Sequence, residues 1–173
     1  MSIRTLPLLL AITATLAATT TQAATTGILT FAGRIDAGTC NLAAGDVNRT
    51  ITLPPVKVSD FDSATIAGAF DFEISAECES DLRNVIFRFT GTPDPISNWR
   101  FANTGTANGI ALALYSRIGG VNETIRANNT NNTRTIATSS NRAILPLGAG
   151  YFKTAAVSQG TLVSTATVSI TYN

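Results

Sequence analysis

The sequence predicts an all-β sandwich, and three observations carry that prediction. Apolar residues recur at every second position over several short segments. Clusters of Gly, Pro, Asn and Asp separate those segments. Beyond the first two dozen residues, no window of ten or more residues spaces its apolar side chains as an amphipathic helix does. Short strands with frequent turns bury their apolar faces by packing two sheets together.

The first element is not part of that sandwich. MSIRTLPLLLAITATLAATTTQA carries Arg4 near its start, an apolar stretch over about 6–18, and the small residues Thr21 and Ala23 before a plausible cut. Residues 1–23 are therefore expected to be a secretory signal peptide. The apolar stretch is short for a bilayer span and no other segment is long enough, so the expected mature chain is exported without membrane insertion. Residues 24–173 suit one domain by size.

The strands follow in order. ATTGILTFAGRI places Gly27, Leu29, Phe31, Gly33 and Ile35 on one parity and reads as an extended strand. Thr39, Cys40, Asn41 and Leu42 begin a core strand that 49–53 resumes before Pro54 and Pro55 break the ladder. In FDFEISAEC, Phe70, Phe72, Ile74, Ala76 and Cys78 are expected to face in, and Asp71, Glu73, Ser75 and Glu77 out. Val85, Phe87 and Phe89 make another alternating set, closed by GTPDP, and Ile110, Leu112 and Leu114 a further one. The polar tract RANNTNNTRT at 126–135 reads as an exposed loop or hairpin tip. Leu145, Leu147, Tyr151 and Phe152 mark one or two short strands interrupted by Pro146 and GAG. The run 160–173, GTLVSTATVSITYN, alternates with Leu162, Ala166, Val168, Ile170 and Tyr172 on one face and reads as a half-buried strand.

Composition excludes whole classes of function. Charged residues are 13% of the chain, the net charge is +1, and no basic cluster could track phosphates or an anionic lipid surface, which argues against nucleic-acid and membrane-surface roles. The sequence has no histidine, which removes Ser-His-Asp and Cys-His sets, His-ligated metal sites and the commonest general base. Two lysines, Lys57 and Lys153, stand outside any S-x-x-K motif. The carboxylate pairs Asp60/Asp62 and Glu77/Glu79 read as turn and solvent-face residues, and GAG at 148–150 as a bend or bulge. No catalytic set, metal site or cofactor motif emerges, so the reading is non-enzymatic. Trp99 beside Arg100 could stack on a sugar, against the plainer reading of a partly buried loop anchor. Asn-x-Ser/Thr triplets begin at Asn48, Asn122, Asn128 and Asn131, a number that chance supplies in a chain rich in Asn and Thr. Cys40 and Cys78, in an oxidising compartment, most simply form one disulfide, whose loop closure contributes roughly 3 to 4 kcal/mol.

Gly160 stands fourteenth from the end and Tyr172 is penultimate, with alternating apolar residues between them. Together with the cysteine pair, the GTCNL and GILTFAGRI stretches and the signal peptide, this resembles a subunit of chaperone-usher fimbriae of Gram-negative bacteria, of the type 1 pilin kind. The resemblance implies an incomplete immunoglobulin-like β-sandwich lacking its last strand, with an extended N-terminal donor strand at 24–36 and a pilin domain at 37–173. It implies a groove beside the C-terminal strand, lined by Gly160, Leu162, Ala166, Val168, Ile170 and Tyr172, that also serves as the chaperone-binding strand. Carried over by parity, the donor residues are Thr25, Gly27, Leu29, Phe31 and Gly33, with Gly27 the small residue required where such a groove narrows. The implied partners are neighbouring pilin subunits, a periplasmic fimbrial chaperone and an outer-membrane usher, and the implied location is the fimbrium at the cell surface.

The physics of such an assembly stands apart from the likeness. A sheet missing a strand exposes unpaired backbone and an apolar stripe. A donated strand completes the ladder and buries Leu29 and Phe31 at roughly 1.5 to 3 kcal/mol each. A strand at one end and a slot at the other make a contact that does not close on itself, and such contacts build fibres. Two other readings compete: residues 24–35 folding back as a strand of their own domain, and a secreted carbohydrate-binding or tip-adhesin module. A tip adhesin in this family is a longer, two-domain chain without a donor segment of its own, which favours a shaft or adaptor subunit.

Overall fold

The computed structural model describes residues 28–173. The signal-peptide expectation for 1–23 and the donor positions Thr25 and Gly27 lie outside the described residues. The chain divides after Ile35 into two units. Residues 28–35 form neither strand nor helix, and Ile28, Leu29, Phe31 and Ile35 are exposed. Among the described residues, the expected extended strand there is therefore not part of any ladder.

The unit at 36–173 contains eight strands: β1 (Cys40–Leu42), β2 (Ile66–Cys78), β3 (Asn84–Gly91), β4 (Ile110–Ser116), β5 (Glu123–Ile125), β6 (Thr133–Ala137), β7 (Arg142–Lys153) and β8 (Ala166–Tyr172). They make a five-stranded sheet in the order β1-β2-β7-β4-β5 and a three-stranded sheet in the order β6-β3-β8. All pairings are antiparallel. The core lies between the sheets, where Val85, Phe87 and Phe89 from β3 meet Leu114, Leu145 and Leu147, all at most 5% exposed. Among the described residues, no helix is long and apolar enough to cross a membrane.

Cys40 and Cys78 sit directly opposite each other in the β1–β2 ladder, with Cα atoms 4.1 Å apart, and they are disulfide-bonded. The bond holds the short β1 to the end of the longest strand.

Several local expectations need correction. Residues 49–53 do not resume β1, and 160–165 precede β8 rather than belonging to it. The segments around Pro146 and GAG are one continuous strand, β7, lying between β2 and β4. Pro146 is tolerated because its carbonyl accepts from Arg117 N (2.9 Å) just beyond the end of β4. Its missing N–H is thus on the side where β4 has already stopped. Gly148 is required for packing, since a Cβ there would lie 2.3 Å from the ring of its ladder partner Tyr115. The irregularity lies across the ladder instead, in β2, between Ala67 and Phe70, where Gly68 takes φ +61°.

Side-chain orientation also departs from simple alternation at three places. Phe70, expected inward, is 40% exposed just past that bulge. Ser75, expected outward, is buried because Asp46 and Arg142 cover it with hydrogen bonds. The tract at 126–135 buries Ala127, Asn132 and Arg134, and β6 begins inside it. Asn132 Nδ2 donates to Phe89 O (2.7 Å) and Phe89 N to Asn132 O (2.8 Å), so the polar tract extends the β3 ladder.

Candidate functional site

β8 is an edge strand, hydrogen-bonded to β3 on one side from Gly91↔Ala166 to Val85↔Tyr172. Its alternation is as the pattern requires: Ala166, Val168 and Ile170 turn toward the core, and Thr167, Ser169 and Thr171 away. None of the three inward residues is fully buried. Among the described residues, no strand pairs with the other edge of β8.

Across from β8 runs the segment 46–53. The backbone of residues 47–56 makes no hydrogen bond to other backbone among the described residues. Side chains anchor its first turn instead. Asp46 Oδ2 accepts from Ser75 N (2.8 Å), Arg49 donates to Glu73 O (2.6 Å), and Asp46 and Arg49 are ion-paired at 3.0 Å. Arg49 also stands over the Phe72 ring at 5.9 Å.

The two segments wall a groove of about 910 Å³. Its floor is apolar and comes from both sheets: Phe72 and Ile74 of β2, Phe89 of β3, Leu112 and Leu114 of β4, and Leu147 and Ala149 of β7. Among the described residues, the only charged ones in the lining, Asp46 and Arg49, neutralise each other. Two unpaired backbone edges over an apolar floor have one natural complement, an extended peptide with alternate apolar side chains.

The expected groove residues fall into three groups. Leu162, Ala166 and Val168 line the groove, Ile170 packs against the core beyond it, and Tyr172 is 39% exposed opposite Val85. Gly160 stands apart at the crossing with residues 106–107, where φ is +154° and a Cβ would lie 2.4 Å from Ala107 N. The sequence reading missed the second wall and most of the floor. The alternation of Ile51 and Leu53 ahead of Pro54 was the signal, and it marks a strand-like segment with no ladder partner among the described residues.

A family model described as fimbrial protein matches residues 29–173. The chain belongs to the fimbrial protein family. This fimbrial protein is 29% identical over 105 residues to the fimbrial subunit ElfA of Escherichia coli K12, an alignment covering 57% of the chain and 59% of ElfA. The aligned part thus spans less than two thirds of that relative. Among solved structures, the P pilus rod subunit PapA superimposes with TM-score 0.62 at 18% identity, over 78% of this chain and 99% of PapA. A subunit from the structure of a chaperone-usher pilus matches with TM-score 0.62 at 18% identity, over 88% of this chain and 99% of that one. The fold of this fimbrial protein is an incomplete immunoglobulin-like sandwich, and the groove lies where its last strand is lacking.

Proposed function

We propose that this chain is a structural subunit of a chaperone-usher fimbria that polymerises by donor-strand exchange. The observation that carries the reading is the groove: an apolar floor shared by both sheets, between β8 and 47–53, each with an unpaired backbone edge. The complement is present in the same sequence. Leu29 and Phe31 are 82% and 88% exposed in a segment that pairs with no strand among the described residues, and Gly33 keeps the same parity. Segment 24–35 of one copy fills the groove of the next, hydrogen-bonding to β8 and to 47–53 together. Before assembly, a periplasmic chaperone supplies the strand and an outer-membrane usher catalyses the exchange. The fibre stands on the cell surface and supports adhesion. The role is structural and calls on none of the protein's side chains as catalysts.

The test is an SDS gel of shed fibres, run with and without prolonged boiling. A ladder that collapses to monomer only on heating is expected. A subunit that unfolds in a two-state manner as a stable, soluble monomer with no partner would refute the reading, because such a molecule has no strand to borrow.

A further inference from the structure

Away from the groove, the loop between β3 and β4 holds a cation in an unusual setting. Arg100 is 4% exposed, its guanidinium lies 3.9 Å from the Trp99 ring centre and 4.1 Å from that of Phe152, and Nε is buried without a hydrogen-bond partner. Among the described residues, nothing accepts a hydrogen bond from the Arg100 side chain and no carboxylate pairs with it. The nearest carboxylate in its own loop, Asp94, uses Oδ1 to accept from Ile96 N (3.0 Å) and Ser97 N (2.8 Å). The second charge near Arg100 has the same sign, since the exposed Arg126 stands over the Trp99 ring at 5.9 Å.

Burial first, and the like charge of Arg126 second, lower the Arg100 pKa to about 10. Aromatic faces offset part of the cost of a buried guanidinium, but they supply no hydrogen-bond acceptor.

The surroundings are fixed in place. Arg100 N donates to Ser97 O (2.8 Å), and Ala127 N donates to Trp99 O (3.2 Å), which clasps the loop to the segment carrying Arg126. Beside the two cations, Asn128 Nδ2 donates to Asn98 Oδ1 (3.3 Å), which leaves Asn98 Nδ2 as a donor at the surface. Two guanidinium groups stand over one ring, and the planar fork of a guanidinium suits the two oxygens of a carboxylate.

We propose that Arg100, Arg126 and Asn98 form a binding site for the carboxylate of a small acidic ligand, with Trp99 as its floor. One carboxylate would give both cations the countercharge that the fold does not.

The test titrates the subunit, its groove filled by a peptide of residues 24–35, with glucuronate by calorimetry, using Trp99, the chain's one tryptophan, as a fluorescence reporter. Saturable binding is expected, with acetate competing and glucose inert. Arg126→Gln removes an exposed side chain and should weaken glucuronate binding about tenfold, the effect of losing one charge-assisted contact, while Arg126→Lys recovers part of the loss. Absence of saturable glucuronate binding at tens of millimolar would overturn the proposal. So would failure of acetate to compete, glucose binding as well as glucuronate does, or undiminished affinity in Arg126→Gln.

Discussion

Phe89 and Val168 are direct partners in the β3–β8 ladder and face the same core, yet Phe89 is 1% exposed while Val168 remains half-buried. The difference between these neighbours is one of cover. Phe89 is hydrogen-bonded on both sides, to Asn132 just ahead of β6 and to β8, whereas Val168 has β3 on one side and the groove on the other.

A charge at that spot tests the groove directly. Val168→Glu should reduce heat-sensitive SDS-resistant polymer by at least about tenfold, because an inserted strand would bury an unpaired carboxylate. The check is densitometry of the unboiled ladder against total boiled subunit.

The donor end predicts an asymmetric defect. Phe31→Glu should leave a subunit that accepts a strand but cannot give one, so co-expression with the normal chain should shorten fibres in proportion to the variant's share. Fibre length by electron microscopy measures this, and an unchanged length distribution would remove Phe31 from the insert.

The disulfide closes a loop of 38 residues' separation, and its loss should lower stability by roughly 3 to 4 kcal/mol. Cys40→Ser should accordingly depress the yield of folded subunit in the periplasm, read by immunoblot beside the normal chain.

Arg134 predicts a cost that its place in a polar tract conceals. At 4% exposure its Nε donates to Ser116 Oγ (2.6 Å) and its terminal nitrogens to the carbonyls of Glu123, Thr124, Asn131 and Thr133. Burial lowers its pKa, while Glu123, 3.6 Å away, opposes the shift. Arg134→Met leaves those acceptors without their donor and should cost about 2 to 4 kcal/mol. Urea unfolding with a bound peptide of residues 24–35 measures it.

What could be read from the sequence was whatever depends on one strand at a time. Alternation alone located the cores of β2, β3, β4 and β8, and the burial of Val85, Phe87 and Phe89 follows it without exception. Pro146 misled because a proline's effect depends on where the neighbouring strand stops, and the end of β4 is not written in β7. Arg134 and Asn132 misled because their acceptors come from other strands and turns, so a polar tract concealed a buried clasp. At the site, β8 was legible as one wall. The other wall was not recognised, since the alternation of Ile51 and Leu53 marks an extended segment but only its place opposite β8 makes that segment a wall.

The register of β3 also constrains the order of folding. Val85 meets Tyr172 and Gly91 meets Ala166, so β3 completes its sheet only with a stretch far along the chain. Pairings of such long sequence separation are slow to nucleate, because chain closure must precede any gain from contact. Through that interval the phenylalanines of β3 are open to any other sticky surface. Any escort that covered them early would therefore set the timing of maturation as well as its end state.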